Sequence, residues 1–308
     1  MIPVAGKPLI ASIIDQLVEE LGIKEFILII GYLGDKIKHY IEGRYADLDI
    51  QFVHQEVRLG LGHDIYTAID AFKKTNDLLI VLGDTIVERD LISDLEKRKY
   101  CMAVKKVDDP REFGVVEVND RGHINRVVEK PRIPKSNMAL VGLYKISDVE
   151  ALIEALEYIM ENDIQTLDEY QLSDALMRMV EEGVRFTIEE VDNWYDCGKK
   201  DILLDTNAML LKRQGNASHQ EPRFENTIVI PPVSIGERCQ IRNSIIGPNV
   251  SIGDDCQLNY AIVSNSIIGS YGHIEEAVLQ KSIIGSDASV RGLNLSLNIG
   301  DNTDIDFS

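Results

Sequence analysis

Apolar positions follow three rhythms along the chain. Leu9, Ile13, Leu17 and Leu21 form one stripe at helical spacing, with Ile10, Ile14 and Val18 beside it, so a helix is expected from about Pro8. Short apolar runs follow at Glu25–Ile30, Asp49–Val53 and Leu78–Leu82, and each reads as a strand. Between and after them, Asp35–Ile41, His63–Phe72 and a stretch near Leu91–Lys97 read as helices, leading to a strand at Cys101–Val107. Strand–helix alternation at this spacing predicts an α/β fold: a Rossmann-like, mostly parallel sheet with helices on both faces. The run Leu78–Leu82 lacks polar residues, as expected of a strand covered on both sides.

The second rhythm is looser. Phe113–Pro131 reads as a hairpin turning at Asn119-Asp120-Arg121-Gly122, and Met138–Ile146 as a further strand. Ser147 is the expected cap of a helix whose apolar residues Val149, Leu152, Ile153, Leu156, Ile159 and Met160 share one face. Leu172–Val180 (helix), Val184–Glu189 (strand) and Lys200–Lys212 (helix, ending at Gly215) complete this part. From Asn226 the helical period is lost. Ser-Ile-Ile-Gly occurs three times, and aliphatics recur six apart, as in Ile246, Ile252 and Leu258, or Ile268 and Ile274. That period is the signature of a parallel β-helix. The expected organisation is therefore an α/β domain over 1–213, a linker over 214–225 and a β-helix over 226–308.

Composition narrows the partners. The net charge of −19 argues against nucleic acid or an anionic membrane as the main partner. No run is long enough to span a bilayer, and no stretch reads as a signal peptide. The four cysteines, Cys101, Cys197, Cys239 and Cys256, lack zinc or redox spacing and are expected to be free thiols in a reducing cytoplasm.

Candidate chemistry clusters where strands end. Asp84 follows the run Leu78–Gly83, and in open α/β sheets ligands bind at the carboxyl ends of strands. Such an Asp can equally cap the next helix. Gly60 and Gly62, in Gln55–His63, would expose backbone N–H groups at a helix start, or simply make a tight turn. Glu129-Lys130 closes the second hairpin strand, where a solvated pair is the ordinary reading. Asp196 stands two residues after the only tryptophan, Trp194.

Taken together, PVAGKP (Pro3–Pro8), QEVRLGLGH (Gln55–His63), LGDT (Leu82–Thr85), DPREFGVVEV (Asp109–Val118), VVEKP (Val127–Pro131), SNMALVGLY (Ser136–Tyr144) and WYDCGK (Trp194–Lys199) resemble the sugar-1-phosphate nucleotidyltransferases. The resemblance covers essentially the whole chain, and is to the long glucose-1-phosphate thymidylyltransferase-like type with a C-terminal left-handed β-helix. It implies transfer of a nucleotidyl group from dTTP or UTP to a sugar 1-phosphate, most simply glucose 1-phosphate, with release of pyrophosphate. It further implies that Asp84 and Asp196 hold Mg²⁺, that Gln55, Gly60 and Gly62 meet the nucleotide, and that Gly114, Glu129 and Tyr144 line the sugar subsite. Lys130 would pair with the sugar phosphate. A cytoplasmic homo-oligomer is expected.

Two departures from the family pattern matter. Leu61 and Asp64 stand where the family has Thr and Ala, which bears on base preference. The family's first strand and its G-x-G-T-R-L-R-P phosphate loop, which precede PVAGKP, are not in these 308 residues. The expectation is that the chain without them does not catalyse transfer. A nucleotide-sugar-binding paralogue without catalysis is the alternative; an acyltransferase using His273 on the β-helix is the weaker one.

Overall fold

The computed structural model describes residues 1–87, 97–215, 224–292, 294–295 and 298–306. The helix expected near Leu91–Lys97, apart from its last residue, and most of the linker at 214–225 lie outside the described residues. Contacts group the chain into two compact units, Ile14–Trp194, and Met1–Ile13 together with Tyr195–Ser308. These bounds differ from a division at 213 and 226.

Within Ile14–Trp194 the fold is mixed α/β. Glu25–Ile30 and Asp49–His54 pair in parallel, as do Tyr100–Lys106 and Thr187–Glu190. Met138–Ile146 instead runs antiparallel to all three of its partners. One edge faces Tyr100–Lys106. The other meets the hairpin at Ala139, then Leu78–Val81 from Leu143 onward. The change of partner coincides with a register shift between Leu140 and Tyr144, and Gly142, at φ +86°, lies inside it. A bulge of this kind bends the strand and re-aims its neighbours. Helices Val149–Glu161 and Leu172–Glu181 cover the sheet with Leu152, Leu156, Ile159, Leu172 and Leu176, all at most 1% exposed. Each such side chain contributes roughly 1.5–3 kcal/mol by leaving water. Two local expectations are corrected. Asp148, not Ser147, caps Val149–Glu161, accepting from the Ala151 N–H, because the Ser147 hydroxyl is spent on Asp77. His63–Phe72 is two helices, Leu61–Thr67 and Ile69–Phe72, parted at Ala68.

The second unit is built on a parallel β-solenoid with three strands per coil. Ile228 stacks on Ile245, Ile245 on Ile262 and Ile262 on Val278. The six-apart aliphatics Ile246, Ile252, Leu258, Ile268, Ile274, Ile284 and Val290 are its core, each at most 1% exposed. The Ser of each Ser-Ile-Ile-Gly is buried but satisfied: Ser244, Ser266 and Ser282 each donate to a carbonyl two residues back. Corners turn through left-handed residues at intervals of five or six, among them Asn243, Asn249, Asp255, Tyr260, Asn265 and Tyr271.

The three outer faces of the solenoid differ. One carries polar residues, Gln240, Gln257 and His273 in register. A second carries Ile267 and Ile283, which are buried under Val4 and under Leu203 and Leu204 of helix Lys200–Gln214. Asn207 ties this packing together. It is fully buried, accepts from the Ala5 N–H at 2.8 Å and the Ser251 hydroxyl at 2.6 Å, and donates to Asn249 O at 3.2 Å. The third face is the ladder Ile228–Ile245–Ile262–Val278, in which Ile228 is 60% and Ile262 45% exposed.

Candidate active site

Leu78–Val81 delivers the chain into a turn at Gly83-Asp84, and both residues are exposed. The bulge at Gly142 fixes that turn. Leu82 N–H donates to Gly142 O at 2.9 Å, and the Thr85 hydroxyl donates to Val141 O at 3.0 Å. Asp84 is thus carried by a segment stitched at both ends to one strand.

The hairpin supplies the next groups. Gly114 and Glu129 are cross-strand partners, and a Cβ at Gly114 would stand 2.9 Å from Glu129 Oε2 and from Leu140 Cδ1. Only glycine leaves the Glu129 carboxylate its place. Oε2 accepts from the Ser173 hydroxyl at 3.0 Å, and Oε1 lies 3.8 Å from Lys130 Nζ. Burial raises the Glu129 pKa; Ser173 and Lys130 oppose that, while Asp174 and Glu169 reinforce it. Lys130 sits at φ +41°, its N–H bonded to Phe113 O, and its side chain is 45% exposed. The Tyr144 phenol is wholly buried, which raises its pKa, and the Glu129 charge adds to the shift. The structure therefore brings Gly114, Glu129 and Lys130 together, with the Tyr144 phenol near enough to feel the Glu129 charge. Ser173, at the start of Leu172–Glu181, escaped sequence reasoning. A serine in the first helical turn reads as an ordinary helix start, and its partner is 44 residues away.

At the glycine pair one backbone donor is engaged within the chain. Gly62 N–H donates to Tyr170 O at 2.8 Å, and Tyr170 N–H donates to Leu59 O at 2.7 Å. The expected exposed donor at Gly62 is therefore engaged within the chain. A Cβ at Gly60, φ +111°, would lie 2.6 Å from Tyr170 O. Both glycines admit the close approach of the segment that continues through Gln171 to Ser173. Gln55 is held as well: its Nε2 donates to Asp64 Oδ1 at 2.5 Å, and a Cβ at Gly31 would strike its Oε1 at 2.6 Å. Burial raises the Asp64 pKa, against the Gln55 hydrogen bond. Asp64, the departure noted above, therefore orients the amide of Gln55.

Asp196 belongs to the other unit, at the end of Trp194–Asp196, where its Oδ1 accepts from Gly198 N–H at 3.1 Å. Among the described residues no group of three or more His, Cys, Asp or Glu is placed to hold a metal by itself. The donors at issue are carboxylate oxygens alone, which fits a hard ion such as Mg²⁺, bound by one or two carboxylates and substrate phosphates. None of the four cysteines is in a disulfide, and no described helix is long and apolar enough to cross a membrane.

A family model described as Nucleotidyl transferase matches residues 1–213. The chain is similar to Bifunctional protein GlmU of Methanocaldococcus jannaschii, 33% identical over 237 residues, covering 77% of this chain and 55% of that one. It is also similar to a Glucose-1-phosphate thymidylyltransferase of Streptomyces griseus, 28% identical over 310 residues, covering 96% and 82%. The solved UDP-glucose pyrophosphorylase complexed with UDP-glucose superposes with a TM-score of 0.58 at 22% identity, over 69% of this chain and 90% of that one, a likeness of fold. The chain spans about half to two thirds of the length of three of the archaeal relatives it matches. Nucleotidyltransferases of this kind generally use a divalent metal. With the family model matched across more than half its length, and with the mixed α/β fold and solenoid that accompany it, the chain belongs to the nucleotidyl transferase family.

Proposed function

We propose that the protein transfers a nucleotidyl group from dTTP or UTP to a sugar 1-phosphate, glucose 1-phosphate in the simplest case. The phosphate oxygen of the sugar attacks the α-phosphorus of the triphosphate. The bond to the β-phosphate breaks, and pyrophosphate leaves. Such reactions need positioning and charge neutralisation more than covalent participation by the protein. The observation that carries this reading is the largely buried Glu129 carboxylate, its side chain 14% exposed, held by Ser173 against Gly114 and next to the exposed Lys130. Glu129 accepts a hydrogen bond from a sugar hydroxyl, a task for which an oriented, poorly solvated carboxylate is suited. The Gly114 backbone and Tyr144 bound the sugar, and Lys130 meets the phosphate as a point charge. Gln55, oriented by Asp64, and the Gly60–Gly62 loop meet the base. Asp84 and Asp196 would hold Mg²⁺, which when bound neutralises phosphate charge.

Two finer points complete the proposal. The protein works in the cytoplasm. It self-associates through the exposed Ile228–Ile245–Ile262–Val278 ladder, because the chain buries its other aliphatic outer face and leaves this one in water.

Glucose 1-phosphate binding, followed by saturation-transfer NMR, tests the sugar subsite directly. Glu129→Ala or Lys130→Ala should weaken it tenfold or more. Absence of binding, or equal binding by both variants, would overturn the proposal.

A further inference from the structure

The hairpin has a second face. Gly114, Val116, Val127 and Glu129 point one way, into the sugar subsite and the core. Their neighbours Val115, Glu117, Arg126 and Val128 point the other way, Val115 opposite Val128 and Glu117 opposite Arg126. On that reverse side lies a cavity of about 190 Å³. Its floor is formed by hairpin residues and its wall by Pro131–Lys135, the segment redirected by the left-handed turn at Lys130.

Three cations line it: Arg126, Arg132 and Lys135. None of their side chains forms a hydrogen bond or ion pair among the described residues. The single carboxylate in the lining, Glu117, is cross-strand to Arg126 but not within ion-pair distance of it. These unpaired cations are gathered around one concavity in a chain of net charge −19, in which Arg98, Lys106, Arg178 and Arg238 are taken up by carboxylates. The rest of the lining is apolar and includes Ile133, 86% exposed. Like charges held around one concavity repel one another unless an anion joins them. Arginine forks match phosphate oxygens in pairs. The volume is below the ~300–1,000 Å³ of sites for drug-sized ligands, so a whole nucleotide sugar is too large.

We propose that this cavity is an anion site for a small phosphate-bearing compound, and that its occupancy is felt at the sugar subsite. The coupling has a short route. The occupant would be gripped by Arg132 and Lys135, which follow Glu129 and Lys130 by two to six residues on one segment, and by Arg126 on the strand that ends at Glu129. The binding claim stands independently of the proposed reaction; the coupling claim rests on it.

Calorimetric titrations of inorganic phosphate, pyrophosphate and glucose 1-phosphate into a Lys130→Ala chain test the binding, because that substitution weakens the subsite on the other face. At least one probe should bind, more weakly as salt is raised. Arg126→Ala, Arg132→Ala and Lys135→Ala together should weaken that binding tenfold or more. Ranking the three probes separates a free phosphate or pyrophosphate from a phosphorylated sugar as the natural occupant. Arg132→Glu alone, at an exposed position, guards against a folding defect in the multiple variant, with Trp194 fluorescence as the check. Failure of all three probes to bind, or equal binding after both sets of changes, would overturn the site. Coupling is read in the chain with Lys130 intact. The triple variant should shift glucose 1-phosphate affinity at the Glu129 subsite at least threefold; an unchanged affinity there, with the cavity's own binding lost, would overturn the coupling alone.

Discussion

Gly142→Ala should damage fold and site together. Gly142 is at φ +86°, and a Cβ there would lie 2.7 Å from Leu82 Cδ1, 2.8 Å from Leu82 Cγ and 3.0 Å from Thr85 Oγ1. Leu82 cannot simply withdraw, because its N–H is bonded to Gly142 O and its neighbour Gly83 leads into Asp84. A left-handed backbone costs an alanine ~1–2 kcal/mol. Forcing a methyl into packed side chains costs ~1–3 kcal/mol more. The sum, ~2–5 kcal/mol, is a large part of the ~5–15 kcal/mol that stabilises a typical domain. Urea unfolding followed by Trp194 fluorescence reports on the right unit, since the single tryptophan lies within Ile14–Trp194 against Phe113 at 4.9 Å. With m near ~1–3 kcal/mol/M, the midpoint should fall by at least roughly 0.7 M. Displacing Asp84 by ~1 Å should in addition cost about 10²-fold in pyrophosphate release, in protein that carries the phosphate loop. Gly83→Ala is the control. Its Cβ would meet nothing within 4 Å and its φ is ordinary, so stability should change by less than ~0.5 kcal/mol. A Gly142→Ala protein with the parental midpoint and parental activity would refute the assignment of the bulge as the support of Asp84.

In protein that carries the phosphate loop, Asp84→Ala or Asp196→Ala should remove several kcal/mol of transition-state stabilisation, with folding preserved; pyrophosphate release within a few-fold of wild type for both would refute the metal assignment. Glu129→Gln should trade function for stability. The folded-state pKa of Glu129 is raised, so its ionised form costs stability above that pKa, and the cost fades as pH falls below the unfolded value near ~4.3. The variant should melt above wild type at pH 8, with the gap closing toward pH 4, while glucose 1-phosphate binding falls; a lower melting temperature at pH 8 would contradict this. Ile262→Asp should shift sedimentation toward a smaller species, and an unchanged coefficient would remove the ladder as the interface. His273→Ala should leave nucleotidyl transfer unaltered; an acyltransferase activity abolished by that change would show a second centre on the solenoid.

Much of the architecture was written in local spacing. Leu9–Leu21, Val149–Glu161, the hairpin and the inward aliphatics of the solenoid all follow from the period of apolar positions, because burial on one face is what selects those residues. Strand direction was less legible. A run such as Met138–Ile146 looks the same whichever way its neighbours run, and its double partnership turns on one glycine. The corners of the solenoid were half visible: Asn and Asp advertise a left-handed backbone, but Tyr260 and Tyr271 do not. Within the site, Gly114, Glu129 and Lys130 were singled out through the family resemblance, since an adjacent Glu and Lys at a strand end read locally as a solvated pair. The role of Ser173, and the Tyr170 carbonyl occupying Gly62 N–H, depend on contacts more than 40 residues apart that no local pattern encodes.

The bond from Ala5 to Asn207 also imposes an order on folding. Ala5 leaves the ribosome 202 residues before its partner does. At ~5–20 residues per second that interval is roughly 10–40 s. Throughout it Val4, which ends 1% exposed, has neither Leu204 nor Ile267 to lie against. The segment Ile14–Trp194 emerges and can collapse on its own core in the meantime. A short apolar strip is therefore left waiting on the nascent chain, open to a chaperone or to a neighbouring chain on the same message, until the solenoid coils that cover it have been made.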